Sequence, residues 1–489
     1  MSDYIIQGAT LTSIADAIRS KAGVTDAFTP AQMISAIESL GGGTSAVLEA
    51  LSISTNGTYT PGTGVDGFDS VVVDVPTQID AGYSMFVDVV QGGVSEINDI
   101  AGLVSSIKSN AFTADSALTS VNFPAVTNIG QSAFSSCNNL QTALFPECTT
   151  ISMAAFSGCA LSSFSGPKVT EIAEYAFRQC SRLTSAIFPL VSYIGSYAFG
   201  GCYNLRQADF SLCTSLGSSA FANCSLLASV NMPLLESLPI AAFMMCWGLS
   251  TINFPGLIEI GASTFSGCSN LRSVNLSTVT RIGNSAFDGC TSLSNVSFTQ
   301  CSIVGTAAFA GCTQLDSVNL PACASIGGNA FLGCSGLSSI DLPLVSNTGA
   351  TQAFARCSAL ISVNLPMIPV VPLAMFYTCY SLSSVNVPLA SQVQTSAFMF
   401  CSSLSMISLP ACTSIYANAF ASCVSLMSVY LPGASVATLS NINAFANTPI
   451  SISTLTGDFG SIFVPASLVD TYKAAARWST YSDRIAAIE

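Results

Sequence analysis

Apolar positions recur along most of this chain with a fixed period, and phenylalanine marks that period most clearly. It stands at Phe112, Phe134, Phe156, Phe177, Phe199, Phe221, Phe243, Phe265, Phe287, Phe309, Phe331, Phe354, Phe376, Phe398, Phe420 and Phe445, nearly always 22 residues apart. Alanine precedes each of them except Phe265 and Phe376, where Thr264 and Met375 stand instead. The unit reads AFxxCxxLxxVxLPxxxxIGxxAF, as in AFAGCTQLDSVNLPACASIGGNAF from Ala308 to Phe331. Self-similarity at such a period is the signature of a stacked repeat rather than of a closed globule.

Each part of the unit predicts an element. LxxVxL predicts a short strand that pairs with its counterpart on the next coil, at about 4.8 Å per step, into a parallel sheet. In the coil quoted above, Leu315, Val318 and Leu320 are expected to point inward. Pro321 ends the strand, because proline has no N–H to give to a ladder. The Ile-Gly pair is expected to turn the chain, and Ala-Phe to begin the return segment with a large core side chain. One coil cannot bury its apolar side alone, so many must stack. The predicted fold class is an α/β repeat: a solenoid over residues 100–445, of about 16 coils of 22 residues, with a parallel sheet on one face.

The flanks read differently. Residues 1–43 predict a small helical module, with amphipathic stretches at 11–21 and 30–40; the second starts with Thr29 as cap, Pro30 and Gln32. Gly41, Gly42 and Gly43 form a flexible joint. Residues 44–99 predict a small β-rich module, with Asn56-Gly57 as a hairpin turn. Residues 446–489 are expected to be a strand-and-helix cap.

Composition narrows the function classes. Half of the residues are hydrophobic and only 8% charged, which is too apolar for disorder. The most apolar run, Met367 to Phe376, is interrupted by Pro369 and Pro372, so no membrane insertion is expected. A net charge of -13 argues against a nucleic-acid partner. The chain contains no histidine, which removes the commonest general base and metal ligand. The first residues lack the basic and apolar regions of a secretory signal peptide, so Sec-dependent export is not expected.

Cysteine follows the packing period. Fourteen of the 19 cysteines lie three residues after a phenylalanine, from Cys137 to Cys423, while Asp115 and Thr448 hold that place in the end coils. The other five, Cys148, Cys213, Cys301, Cys323 and Cys412, lie fourteen residues after one. Small buried thiols filling the core explain both sets. No CxxC pair suggests a metal, and neither metal nor cofactor is expected.

The repeat unit resembles the BspA-type leucine-rich repeats of bacterial surface and phage-encoded proteins, over roughly 100–445. That resemblance implies a leucine-rich-repeat solenoid that binds a partner rather than catalyses. The segment from Gly460 to Ile488 is similar to the cap that often ends such arrays, with Leu468, Tyr472 and Trp478 as its sealing contacts. Two N-terminal segments, TLTSIADAIRSKAGVTDAFTPAQMISAIESL and NGTYTPGTGVDGFDSVVVDVP, resemble modules of tail-fibre and other virion proteins of phages of Firmicutes. That second resemblance implies a virion fibre-like protein, assembled in the host cytoplasm and released by lysis. Its residues 1–99 would attach to other virion proteins, its repeats would contact a host cell-surface glycan or protein, and it would be a homo-oligomer, by preference a trimer. The alternatives are a bacterial BspA-type surface adhesion protein and a purely structural virion decoration protein.

Candidate contact residues follow from the strand pattern. The position after the strand valine would form a polar stripe on the concave face, carried by Asn231, Asn253, Asn275, Asn319, Asp341, Asn364 and Asn386, with serine or threonine two residues earlier. Such a stripe suits a glycan or peptide; equally, it suits solvated strand residues whose amides ladder between coils. A second candidate is an apolar interface on the convex edge at Tyr203, Trp247, Tyr377, Tyr380 and Phe400. The stretch from Cys357 to Gly457 contains no charged residue. For catalysis, the best carboxylate group is Glu147, Glu171 and Glu174, but Lys168, Arg178 and Arg182 interleave it, and an ion-pair patch accounts for it better. No catalytic residue is assigned.

Overall fold

In a computed structural model, the described residues are 4–5, 71–72, 96–99, 104–347, 349–451 and 459–489. The helices expected at 11–21 and 30–40, the glycine joint and the Asn56-Gly57 turn lie outside them. The chain divides into two compact units, Met1–Leu227 and Ala228–Glu489. The described repeat residues of each form a parallel solenoid.

Each coil contributes strands to two ladders. The first is the expected one, built from three-residue strands. In the first unit Glu96–Asn98, Ser120–Asn122 and Thr142–Leu144 pair in parallel register, so the stack begins before residue 100. In the second unit Ser273–Asn275, Asn295–Ser297 and Ser317–Asn319 do the same. Only the central residue of each strand faces the core, and Leu315 and Leu320 flank Val318 as buried side chains, Val318 itself being partly exposed.

The second ladder corrects the reading of Ile-Gly as a simple turn. Two-residue strands ending in that isoleucine, or in the leucine or valine that replaces it, pair from coil to coil. Six of them, from Ser106–Ile107 to Ser215–Leu216, form one sheet in the first unit. Five more run from Ser237–Leu238 to Ser325–Ile326 in the second. The glycine that follows is required by close approach: a Cβ on Gly305 would lie 2.6 Å from the backbone of Gly283 and Asn284. Side-chain volume, not turn geometry, selects it.

The Ala-Phe segment forms a third line of contact between coils. The Phe134 N–H donates to the Ala155 carbonyl at 2.8 Å, and the Phe309 N–H to that of Ala330 at 2.7 Å. The return segment is a tight arch without helix, with left-handed backbone at Ser132 and Ser136 around Phe134 and their counterparts in other coils. The phenylalanine rings stack behind it, 5.2 Å apart for Phe134 and Phe156 and 5.2 Å for Phe309 and Phe331.

The buried thiols close the remaining gap. Members of the main set donate to the phenylalanine carbonyl one coil back, as Cys159 Sγ does to Phe134 at 3.0 Å and Cys312 Sγ to Phe287 at 3.1 Å. The second set points instead at a carbonyl two residues ahead, as Cys301 does at Ile303. Burial pushes the Cys180 thiol up to about 12 and that of Cys213 to about 11.

End coils replace cysteine for a reason now visible. Buried Asp115 accepts from the N–H groups of Ala117 and Leu118 at 2.9 and 3.2 Å. Buried Thr448 donates to the Phe445 carbonyl at 2.6 Å. Beyond it Ser461–Val464 and Ile485–Ala487 extend the first sheet, joined by a crossover that holds the one α-helix among the described residues, Val469–Ala474. Tyr472 and Trp478 are buried as expected and cap the open backbone, Trp478 Nε1 donating to Ala437 at 2.6 Å. Tyr481, not Leu468, completes the seal: its hydroxyl donates to the Ile442 carbonyl, whereas Leu468 stays partly exposed.

Candidate binding surface

The outward residues of the first ladder form the candidate surface. In a parallel in-register sheet, equivalent side chains of successive coils stand side by side. Asn253 therefore lies beside Asn231, and its Nδ2 donates to the Asn231 Oδ1 at 2.7 Å. Asn319 Nδ2 donates to Ser297 Oγ at 2.9 Å. Asn364 donates to Asp341 at 2.7 Å and Asn386 to Asn364 at 2.6 Å. In the first unit Asn122 donates to Asn98 at 2.9 Å. A carboxamide carries both donor and acceptor, so a column of them hydrogen-bonds along its length. The stripe is thus a ladder between coils, and Asn275 and the ladder residues Asn253, Asn319, Asp341 and Asn386 are exposed on it.

The stripe is not uniformly polar. Leu144 and Ile187 occupy the same position in the first unit and are 50% and 59% exposed. Toward its C-terminal end the column of the second unit carries Tyr430 and Phe463, stacked at 4.8 Å. The sequence pattern could have shown these, since they hold the stripe position of their own coils.

The predicted aromatic interface divides. Tyr203, Trp247 and Tyr380 are exposed, at 48%, 56% and 51%. Tyr377 and Phe400 are only partly so, because their rings pack edge to face at 5.8 Å. They brace each other rather than stand free.

Of the predicted carboxylate group, Glu147 is ion-paired. Glu147 accepts from Lys168 Nζ at 2.5 Å with both side chains about half exposed. Arg178 lies over the Tyr175 ring at 5.5 Å. No group of three metal-ligating side chains occurs among the described residues, and no described helix is long and apolar enough to cross a membrane.

Comparison with known proteins agrees with the coil geometry. The family described as BspA type leucine rich repeat region (6 copies) matches over three stretches, residues 105–228, 236–361 and 324–453. The chain belongs to that family. Among solved structures, this BspA-type chain is similar to a leucine-rich repeat protein from Bacteroides ovatus, at 23% identity and a TM-score of 0.49, covering 79% of this chain and 88% of the other. A leucine rich cell surface protein from Faecalibacterium prausnitzii matches at 23% identity and TM-score 0.38, over 63% and 86%. The pneumococcal vaccine antigen PcpA matches at 15% identity and TM-score 0.39, over 89% and 98%. No curated protein matches the chain. The tail-fibre resemblance rests on residues outside the matched spans, of which only 71–72 are described.

Proposed function

We propose that this BspA-type protein is a non-catalytic binding protein of the bacterial cell surface, and that the outward face of its first sheet is the contact surface. The observation that carries this is the amide column of the second unit, from Asp341 through Asn364 to Asn386, where hydrogen-bonded side chains are held at fixed spacing. Side chains already laddered lose little freedom when a partner binds, which is the advantage of preorganisation. Membership of a leucine-rich-repeat family, whose solenoids offer extended binding faces, supports the same reading.

The test is binding of purified protein to target cells, with and without Asn364→Lys and Asn386→Lys together. Two cations on the column break its hydrogen bonds without touching the core, and exposed substitutions usually cost under about 0.5 kcal/mol each. The double variant is expected to melt close to the parent temperature and lose most of its cell binding. Parental binding should change little between low and high salt, since no charge pair carries it. A folded double variant that binds like the parent refutes this surface.

A further inference from the structure

The C-terminal end of the same column differs from the rest in shape. Successive coils place Asn364, Asn386, Ser408, Tyr430, Phe463 and Ala486 at the outward position. Tyr430 and Phe463 stack nearly parallel, with 14° between their planes. The pair is flanked by small residues on both sides, Ser408 before it and Ala486 after it. On the side away from Phe463, Ser408 stands beside Tyr430, and Asn386 holds the outward position of the neighbouring strand. At the usual strand spacing of about 4.8 Å, one small residue between Tyr430 and Asn386 would leave room for about the thickness of one saturated six-membered ring. Met406, 53% exposed and on the same face of its strand, forms the side of this slot.

Its chemistry is specific. One wall is an aromatic face, which accepts apolar C–H surface. The opposite wall is a carboxamide able both to donate and to accept, and the floor is a hydroxyl. From Cys357 to Gly457 the chain has no charged residue, so neither an anion nor a cation is matched here. A neutral sugar ring has this combination, an apolar face of C–H groups with hydroxyls at its rim.

We propose that Tyr430, Ser408, Met406 and Asn386 form a subsite for a neutral sugar residue, with Tyr430 stacked on the ring and Asn386 bonded to its hydroxyls. This rests on the reading of the first sheet as the binding face and names the ligand class at one end of it.

The experiment is saturation-transfer NMR on the full chain with neutral disaccharides of glucose, galactose, mannose and N-acetylglucosamine. At least one is expected to take up saturation, with weak, roughly millimolar binding. Tyr430→Ala should weaken it about tenfold, the equivalent of one lost ring contact. Ser408→Phe fills the slot while removing no core contact, since Ser408 is exposed, and should abolish the signal. Glu259→Gln, exposed on the second ladder and away from the first sheet, should leave it unchanged. Failure of every sugar in the panel overturns the subsite, as does equal transfer in the Ser408→Phe protein. If cell binding still falls on Asn364→Lys and Asn386→Lys in that case, the general reading stands and only the sugar assignment fails. Self-association that Ser408→Phe abolishes would assign the slot to a second copy and overturn the proposal.

Discussion

In the coils up to Phe221 the inward strand position is held by Val121, Ala143, Phe164, Ala186 and Ala208, and the position two residues later by Phe123, Phe145, Gly166, Phe188 and Phe210. In the coils from Ser273 to Leu409 the same two positions read mostly Val or Ile followed by Leu, as in Val274 with Leu276, Val363 with Leu365 and Ile407 with Leu409. The first region thus fills its interior with a second column of rings beside the main phenylalanine column, Phe145 lying 5.8 Å from both Phe134 and Phe156. The second region uses aliphatic side chains against a single column. Where the large residue moves to the other position, the small one moves too: Phe164 sits between Ala143 and Ala186, and Gly166 makes way for its neighbours. A Cβ on Gly166 would lie 2.8 Å from the Phe188 ring and 2.6 Å from Val169. What each coil keeps is filled volume, not residue identity, as expected of interiors packed like crystals. The exception with a ring is Phe298 beside Val296, tilted at 6.0 Å from Phe287.

The outer surfaces diverge as well. The first region carries the Glu147–Lys168 pair and Arg178 over Tyr175, while the coils from Cys357 onward are uncharged as far as Gly457.

Alkali should have the largest effect and should override the difference in packing, because both regions share the thiol columns. Burial holds Cys148, Cys180 and Cys379 up to about 12 and Cys301 and Cys412 to about 11, against an ordinary value of 9.0. The neutral thiol is the native form, so its contribution is complete below about pH 9 and is lost as pH rises toward 11–12. Thermal melts should be flat from pH 6 to about 8 and fall steeply above about 9, with every cysteine becoming reactive to alkylation only on unfolding. Rapid alkylation of the native protein at neutral pH would show that the columns are open.

The packing contrast is tested by moving one coil from the first pattern to the second. Ala208→Val should overpack and cost about 1–3 kcal/mol. Phe210→Leu should leave unfilled space and cost a similar amount, about 1–3 kcal/mol. Together they restore the Val-Leu pairing, and the double variant should be more stable than the sum of the singles predicts, by about 0.5–3 kcal/mol of coupling in denaturant titrations. Strict additivity would mean that the two positions do not share one volume.

Smallest is the surface term. Lys168→Ala removes an exposed ion pair and should change stability by less than about 1 kcal/mol, an effect that vanishes at high salt. A larger loss would give charge a role in the first region that the second region manages without.

By itself the sequence determined the coil: its period, the strand at LxxVxL, the buried phenylalanine and cysteine columns, the capped ends and the polar outward stripe. These were legible because each coil meets only neighbours like itself, so a side chain's surroundings are written one period away in the same chain. The tertiary structure decided what depends on contact across that period. Ile-Gly became a second ladder because the preceding coil's backbone approaches to within van der Waals distance of the glycine. In the coil from Phe331 to Phe354, which spans 23 residues, the Asn347 amide accepts from the Ile326 N–H at 3.0 Å and donates to the Ile326 carbonyl at 2.8 Å. Tyr377 and Phe400 turned to each other instead of outward, and the asparagines to their own counterparts. Periodicity states which residues are neighbours; only packed coordinates state which of those neighbours share a volume or a hydrogen bond.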